Sequence, residues 1–219
     1  MMLRTTLSLI LSIPMILTPL SQTTEVNEDV QLLDSFLQQH SVPSELREIA
    51  IEKLKNGETL DSESPNAKPL SIKESHSNNE NVTVFYYPDG SVKISSVPTL
   101  STENHGFSLF YVSKCKFSGG NSFVATWTNC YASETHYYGT LGVYFNYEYA
   151  RNGSQRISNY WTPMSDSKYG HSGLSVSRMS ATQIRVRAEV KTGLRGGMVT
   201  RWMDVFVNKG VASTRSGGM

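Results

Sequence analysis

Five histidines, two cysteines and one strongly cationic stretch carry most of the chemistry on offer in this chain of 219 residues. His136 stands close behind Glu134 and His171 close behind Asp166, spacings that suit acid/base or metal pairs. Each pair lies in a polar stretch that reads as a loop, where an exposed histidine is the ordinary outcome. There is no Gly-x-Ser-x-Gly elbow, His-Glu-x-x-His pair, calcium loop or phosphate-binding glycine loop. The sequence therefore nominates no catalytic residue, no metal and no cofactor. Cys115 is flanked by Lys114 and Lys116, and neighbouring cations make a thiol more nucleophilic. The stronger expectation is a disulfide between Cys115 and Cys130.

Binding chemistry is better represented. Arg185, Arg187 and Lys191 alternate with apolar residues, so in an extended chain they share one outer face with Glu189 between them. Arg178, Arg195 and Arg201 lie in adjoining segments and extend the patch. A solvated face is the plain reading. The functional one is docking of a polyanion: an anionic cell-envelope polymer, acidic lipid head groups or an acidic polypeptide, and no nucleic acid. The aromatic residues Tyr137, Tyr138, Tyr144, Tyr147, Tyr149, Tyr160 and Trp161 could stack on sugar rings or sit at a membrane surface. Alternation puts Tyr137, Tyr147 and Tyr149 on the core side and leaves Tyr138 and Tyr144 outside.

These residues need a compartment. Arg4 precedes an apolar run from Leu7 to Leu20 broken by Pro14 and Pro19, followed by the polar stretch Ser21–Glu25. The run is short of the ~20 residues a spanning helix needs, so residues 1–21 read as a secretory signal peptide and the mature chain as secreted. An oxidising compartment favours pairing the two cysteines, and a zinc site would want four ligands. The net charge of +1 hides an asymmetry: residues 22–80 hold 12 acidic and 5 basic residues, and residues 81–219 hold 7 acidic and 14 basic. An acidic front is tethered to a basic back, which suggests contact between residues 25–57 and the domain that follows.

The positioning elements fall into two kinds. Val30, Leu32, Leu33, Phe36 and Leu37, then Leu46, Ile49, Ala50 and Leu54, recur at helical spacing. With Pro43 opening the second run and Asn56-Gly57 closing it, residues 22–57 form an acidic helical hairpin. Residues 58–81 are rich in Ser, Asn, Glu, Lys and Pro and read as a flexible linker. From Val82 the period changes to two. Val82, Val84 and Tyr86, the turn Tyr87-Pro88-Asp89-Gly90, then Val92 and Ile94 predict a hairpin. Thr182, Ile184, Val186, Ala188 and Val190 against Gln183, Arg185, Arg187, Glu189 and Lys191 predict a strand with one wet face, inside a meander that ends with Val199–Val207. Residues 82–219 are thus a basic all-β domain, an antiparallel β-sandwich or small barrel.

The cysteines conflict with the simplest strand pairing. A regular hairpin about Gly119-Gly120 sets Cys115 opposite Val124 and leaves Cys130 ~20 Å away at ~3.3 Å per residue, too far for a bond. The disulfide is preferred, with Lys116–Ser122 as a loop or crossing. Closing it stabilises the fold by ~3 kcal/mol in the chain-entropy picture.

Lys55-Asn56-Gly57-Glu58-Thr59-Leu60-Asp61-Ser62, then Pro65 and Pro69, then Tyr87-Pro88-Asp89-Gly90-Ser91, resemble the front of uncharacterised secreted proteins of Gram-positive bacteria. The resemblance covers residues 43–97, implies an exported bacterial protein and carries over no catalytic residue. The expected function is a secreted, non-enzymatic β domain binding an anionic envelope or extracellular ligand. Alternatives are a toxin or bacteriocin-like effector made as a precursor with residues 22–80 as its pro-region, and an extracellular hydrolase with an unrecognised site.

Overall fold

The computed structural model describes residues 21–77, 80–98, 115–120, 123–167, 170–191, 198–208 and 211–218, the side chains of residues 21–26, 77, 162–164 and 191 excepted. The apolar leader, Lys114, Arg195 and the side chain of Lys191 fall outside it. Among the described residues no helix is long and apolar enough to cross a membrane.

Two helices come first, α1 (Ser21–Gln39) and α2 (Ser44–Lys55). The chain reverses between them through Ser41, whose φ of 58° is left-handed. At the end of α2, Gly57 at φ 70° lets the Glu58 amide reach back to the Lys53 carbonyl, which satisfies a carbonyl the helix leaves open. Leu33, Leu37, Ala50 and Leu54 close against each other and against Leu60 and Val92, with Val84, Tyr86 and Ile94 packed beside them. Each fully buried leucine contributes ~1.5–3 kcal/mol. The acidic hairpin therefore sits on the β domain through an apolar contact.

Residues 58–81, expected as a flexible linker, contain a 3-10 turn at Asp61–Glu63 and a strand, β1 (Ser71–Ser77). β1 pairs along its whole length with β2 (Glu80–Tyr86). The pairing is made by backbone groups, so a strand without an apolar face could form at the sheet edge. Its Lys73, Glu74 and His76 are the polar and charged side chains that guard such an edge.

β2 turns at Tyr87-Pro88-Asp89-Gly90 into β3 (Val92–Pro98), as its residue pattern predicts. Gly90 is required there: φ is 79° and a Cβ would collide with the Leu46 carbonyl of α2. Asp89 ties the turn down. One carboxylate oxygen accepts from Lys53 Nζ at 2.9 Å and the Asp61 amide at 2.8 Å, and the other from the amide and hydroxyl of Ser91 at 3.0 and 2.6 Å. The Ser91 hydroxyl accepts in turn from the Ser62 amide at 2.9 Å. The two separated motifs around Asp61-Ser62 and Asp89-Ser91 thus meet in one clamp. Burial pushes the Asp89 carboxyl up, but these hydrogen bonds outweigh it and hold it below the ordinary value.

The remaining strands are β4 (Lys116–Gly120), β5 (Val124–His136), β6 (Gly139–Ala150), β7 (Gln155–Ser167), β8 (His171–Ser180), β9 (Gln183–Lys191), β10 (Met198–Asn208) and β11 (Val211–Gly218). One sheet runs β1-β2-β3-β5-β6-β7 with β4 beside the first half of β5, and the other is the meander β11-β10-β9-β8. All pairings are antiparallel. Val143, Phe145, Tyr147 and Ile157 of the first sheet meet Ile184, Val186, Met203 and Val205 of the second in one core. This is a β-sandwich.

The disulfide Cys115–Cys130 is present, and it coexists with a hairpin. Lys116 pairs with Thr128 and Gly120 with Ala125, with register shifts at Phe117/Gly119 and Trp127/Cys130 and a left-handed Asn129 at φ 55°. The reversal lies beyond Gly120, so Lys116–Gly120 is a strand rather than a loop, and bulges take up the extra residues.

Candidate functional site

Among the described residues three places that bring reactive or recognising side chains together bear on the sequence reading. The first is a cavity of about 30 Å³ at one end of the sandwich, lined by Glu63, Glu134, His136, Tyr138, Asp166, Ser167 and Arg201 among others. Glu134 and His136 point into it because alternate residues of β5 share a face. Arg201 enters from β10, on the same side as Met203 and Val205. Its Nη2 donates to Glu63 Oε1 at 2.6 Å, and its guanidinium lies 5.1 Å from the Tyr138 ring centre. The His136 and Tyr138 rings stack at 5.3 Å.

Several polar atoms here are enclosed without a well-formed hydrogen bond: both Glu134 oxygens, His136 Nδ1, the Tyr138 and Ser167 hydroxyls and Arg201 Nε. Burial raises the Glu134 carboxyl, opposed by Lys93 at 4.0 Å and by the nearby Ser216 and Thr214 hydroxyls. Burial also holds the His136 imidazole well below its usual value, and the Arg201 and Lys93 charges push it the same way. The cavity does gather a histidine with acids, although His136 joins Glu134 and Asp166 while His171 lies exposed on β8. Its volume suits one or two waters and is far below the ~300–1,000 Å³ of a ligand pocket.

The second place is the outer face of the four-stranded sheet. Arg185 and Arg187 do share it, since Ile184, Val186 and Ala188 between and beside them are fully buried. Register adds what the linear pattern missed: Asp204 lies between Arg185 on one side and Arg215 on the other, and Arg187 lies beside Trp202. Arg185 donates from Nε and Nη2 to the two Asp204 oxygens at 2.6 and 2.8 Å, and its guanidinium stands 4.5 Å from the Trp202 ring centre. Arg187 and Arg215 are exposed.

The other nominated cations are elsewhere. Arg201 faces inward and is buried at 8% exposure, because its strand position shares the parity of the core residues. Arg178 pairs with the core-facing Ile184. It reaches across to the other sheet, donating to the Ile157 carbonyl at 2.6 Å and lying 5.2 Å from the Tyr160 ring centre. Of the nominated arginines whose side chains are described, Arg178, Arg185, Arg187 and Arg201, the outer face keeps Arg185 and Arg187 and gains the unforeseen Arg215.

The third place is the outer face of the larger sheet. Tyr138, expected outside, is 7% exposed: it sits in the β5–β6 turn, where strand alternation no longer governs side-chain direction, and folds over the cavity. Tyr144 does face outward. It pairs with Tyr131 on one side and Trp161 on the other. Ring centres are 5.0 Å apart for Tyr131 and Tyr144 and 6.0 Å for Tyr144 and Trp161, the latter pair within 15° of parallel. Tyr131 lies over Gly142, where a Cβ would collide with its ring. The period-two pattern of β5 could have revealed Tyr131 had the strand been recognised through the disulfide.

Among the described residues no group of three His, Cys, Asp or Glu side chains could hold a metal ion. No protein family, curated protein or solved structure matches this chain.

Proposed function

We propose that the chain is an exported, non-enzymatic β-sandwich that binds an anionic polymer of the cell envelope or its surroundings on the outer face of the four-stranded sheet. The observation that carries this reading is the placing of Arg185 and Arg187 on β9 and Arg215 on β11, the strands either side of β10, on one solvent-facing surface, with Trp202 of β10 beside the Arg185 guanidinium. Arg185 is held rigid by Asp204, which orients its edge while cancelling its charge. Arg187 and Arg215 supply the attraction, and planar guanidinium groups suit carboxylate and phosphate partners. Export is supported by the leader pattern and by a disulfide in a chain whose other cysteines number none. The apolar seat of the helical hairpin and the Glu63–Arg201 pair support residues 22–80 as a permanent part of the molecule rather than a shed pro-region.

The test is retention on isolated Gram-positive cell walls and on polygalacturonate over a salt series. Wild type binds at low salt and releases steeply as salt screens the contacts. Arg187→Glu with Arg215→Glu abolishes retention while leaving the fold intact by circular dichroism. Salt-insensitive binding, or binding unchanged in the double variant, overturns the proposal.

A further inference from the structure

We infer that the outer face of the larger sheet is a second binding surface, for a neutral glycan chain whose pyranose rings stack along Tyr131, Tyr144 and Trp161. This goes beyond the anion-binding reading, and the two sites lie on opposite outer faces of the sandwich.

Register brings the three rings together. They occupy mutually paired positions on β5, β6 and β7, so they step across the sheet at the strand spacing of ~4.8 Å. Their centres, 5.0 and 6.0 Å apart, follow that step. Core packing does not require them: Val143 and Phe145 on either side of Tyr144 are fully buried in the sandwich, whereas the three rings are only partly covered. Gly142 clears the space that Tyr131 occupies.

The occupant follows from the surface chemistry. A sugar ring presents a face of C–H groups to an aromatic ring and a rim of hydroxyls to amides and carboxylates. Beside the ladder on the same face stand Asn146 and Asn159, paired across β6 and β7, and then Glu148 with Arg156, ion-paired at 2.7 Å. Asn159 is exposed, and its side-chain oxygen accepts from the Tyr160 amide at 2.9 Å. The ladder lies clear of the helical hairpin, which packs on the same face over β2 and β3 through Val84, Tyr86 and Ile94. Among the described residues the cation beside the rings, Arg156, is ion-paired with Glu148, so the surface favours an uncharged chain over a lipid head group.

The experiment uses the full chain and a defined panel: cellohexaose, chitohexaose and mannohexaose in solution, with phosphatidylglycerol and phosphatidylcholine vesicles as controls. Tryptophan fluorescence and calorimetry read binding. Wild type binds at least one oligosaccharide, with little dependence on salt. Trp161→Ala and Tyr144→Ala each weaken binding tenfold or more, Trp161→Phe and Tyr144→Phe retain most of it, and Arg187→Glu with Arg215→Glu leaves it unchanged. Thermal melts confirm that the variants fold, and the phenylalanine variants keep the question answerable if an alanine variant does not. Binding to none of the oligosaccharides, binding to vesicles instead, or an unchanged affinity in Trp161→Ala overturns the inference. Loss of binding in the arginine variant alone places the glycan on the other face and likewise overturns it.

Discussion

Replacing Glu63 by Gln removes the carboxylate that holds Arg201, 138 residues away in sequence. Both side chains are 10% exposed and their closest atoms are 2.6 Å apart. An exposed ion pair contributes ~0–1 kcal/mol, but removing one partner of a buried pair costs ~3–5 kcal/mol, because the other charge stays behind uncompensated. Two features place the expected loss near the lower end, about 3 kcal/mol: the Gln carbonyl still accepts one hydrogen bond, and the Tyr138 ring remains beside the guanidinium. Arg201 Nε already lacks a partner, so the site has little else with which to compensate. Urea unfolding followed by tryptophan fluorescence measures the change. A double variant, Glu63→Leu with Arg201→Met, should recover most of the loss, since replacing both charges by apolar groups leaves neither unpaired. If Glu63→Gln costs less than about 1 kcal/mol, the pair behaves as a solvated one, and the reasoning that locks the 3-10 turn onto the sandwich fails.

His136 and Glu134 give stability an opposed dependence on pH. The folded imidazole titrates well below 6.5, so the unfolded chain binds more protons as pH drops through 6.5. Stability then falls toward acid, by up to about 1.4 kcal/mol per pH unit, and His136→Gln flattens that limb. Glu134 has a raised folded value against 4.5 unfolded, so its contribution is lost as pH rises above 4.5, and Glu134→Gln removes that loss. Thermal melts from pH 4 to 8 on the three proteins check both signs; an unchanged acid limb in His136→Gln refutes the first. Cys130→Ser opens a 15-residue separation and should cost ~3 kcal/mol, measured by denaturant unfolding against wild type with and without reductant. A loss below about 1 kcal/mol would show that the bulged hairpin holds its register without the bond.

Local sequence determined the elements with a repeating period. Helical spacing marked both helices, the Pro-Asp-Gly turn marked the β2–β3 hairpin, and strict alternation marked which side of β9 is wet, because in each case the side-chain direction follows from the backbone conformation of adjacent residues. Tertiary structure decided what required knowing neighbours from distant segments. β1 escaped notice because backbone pairing with β2, and no apolar face, makes it a strand. Arg201 looked like a surface cation until Glu63 was seen to meet it, and Tyr138 looked exposed because a turn broke the alternation beneath it. The Tyr131–Tyr144–Trp161 ladder and the Arg215–Asp204–Arg185 row exist only through strand register, which is set by bulges, the disulfide and the packing of two sheets, and which no single strand encodes.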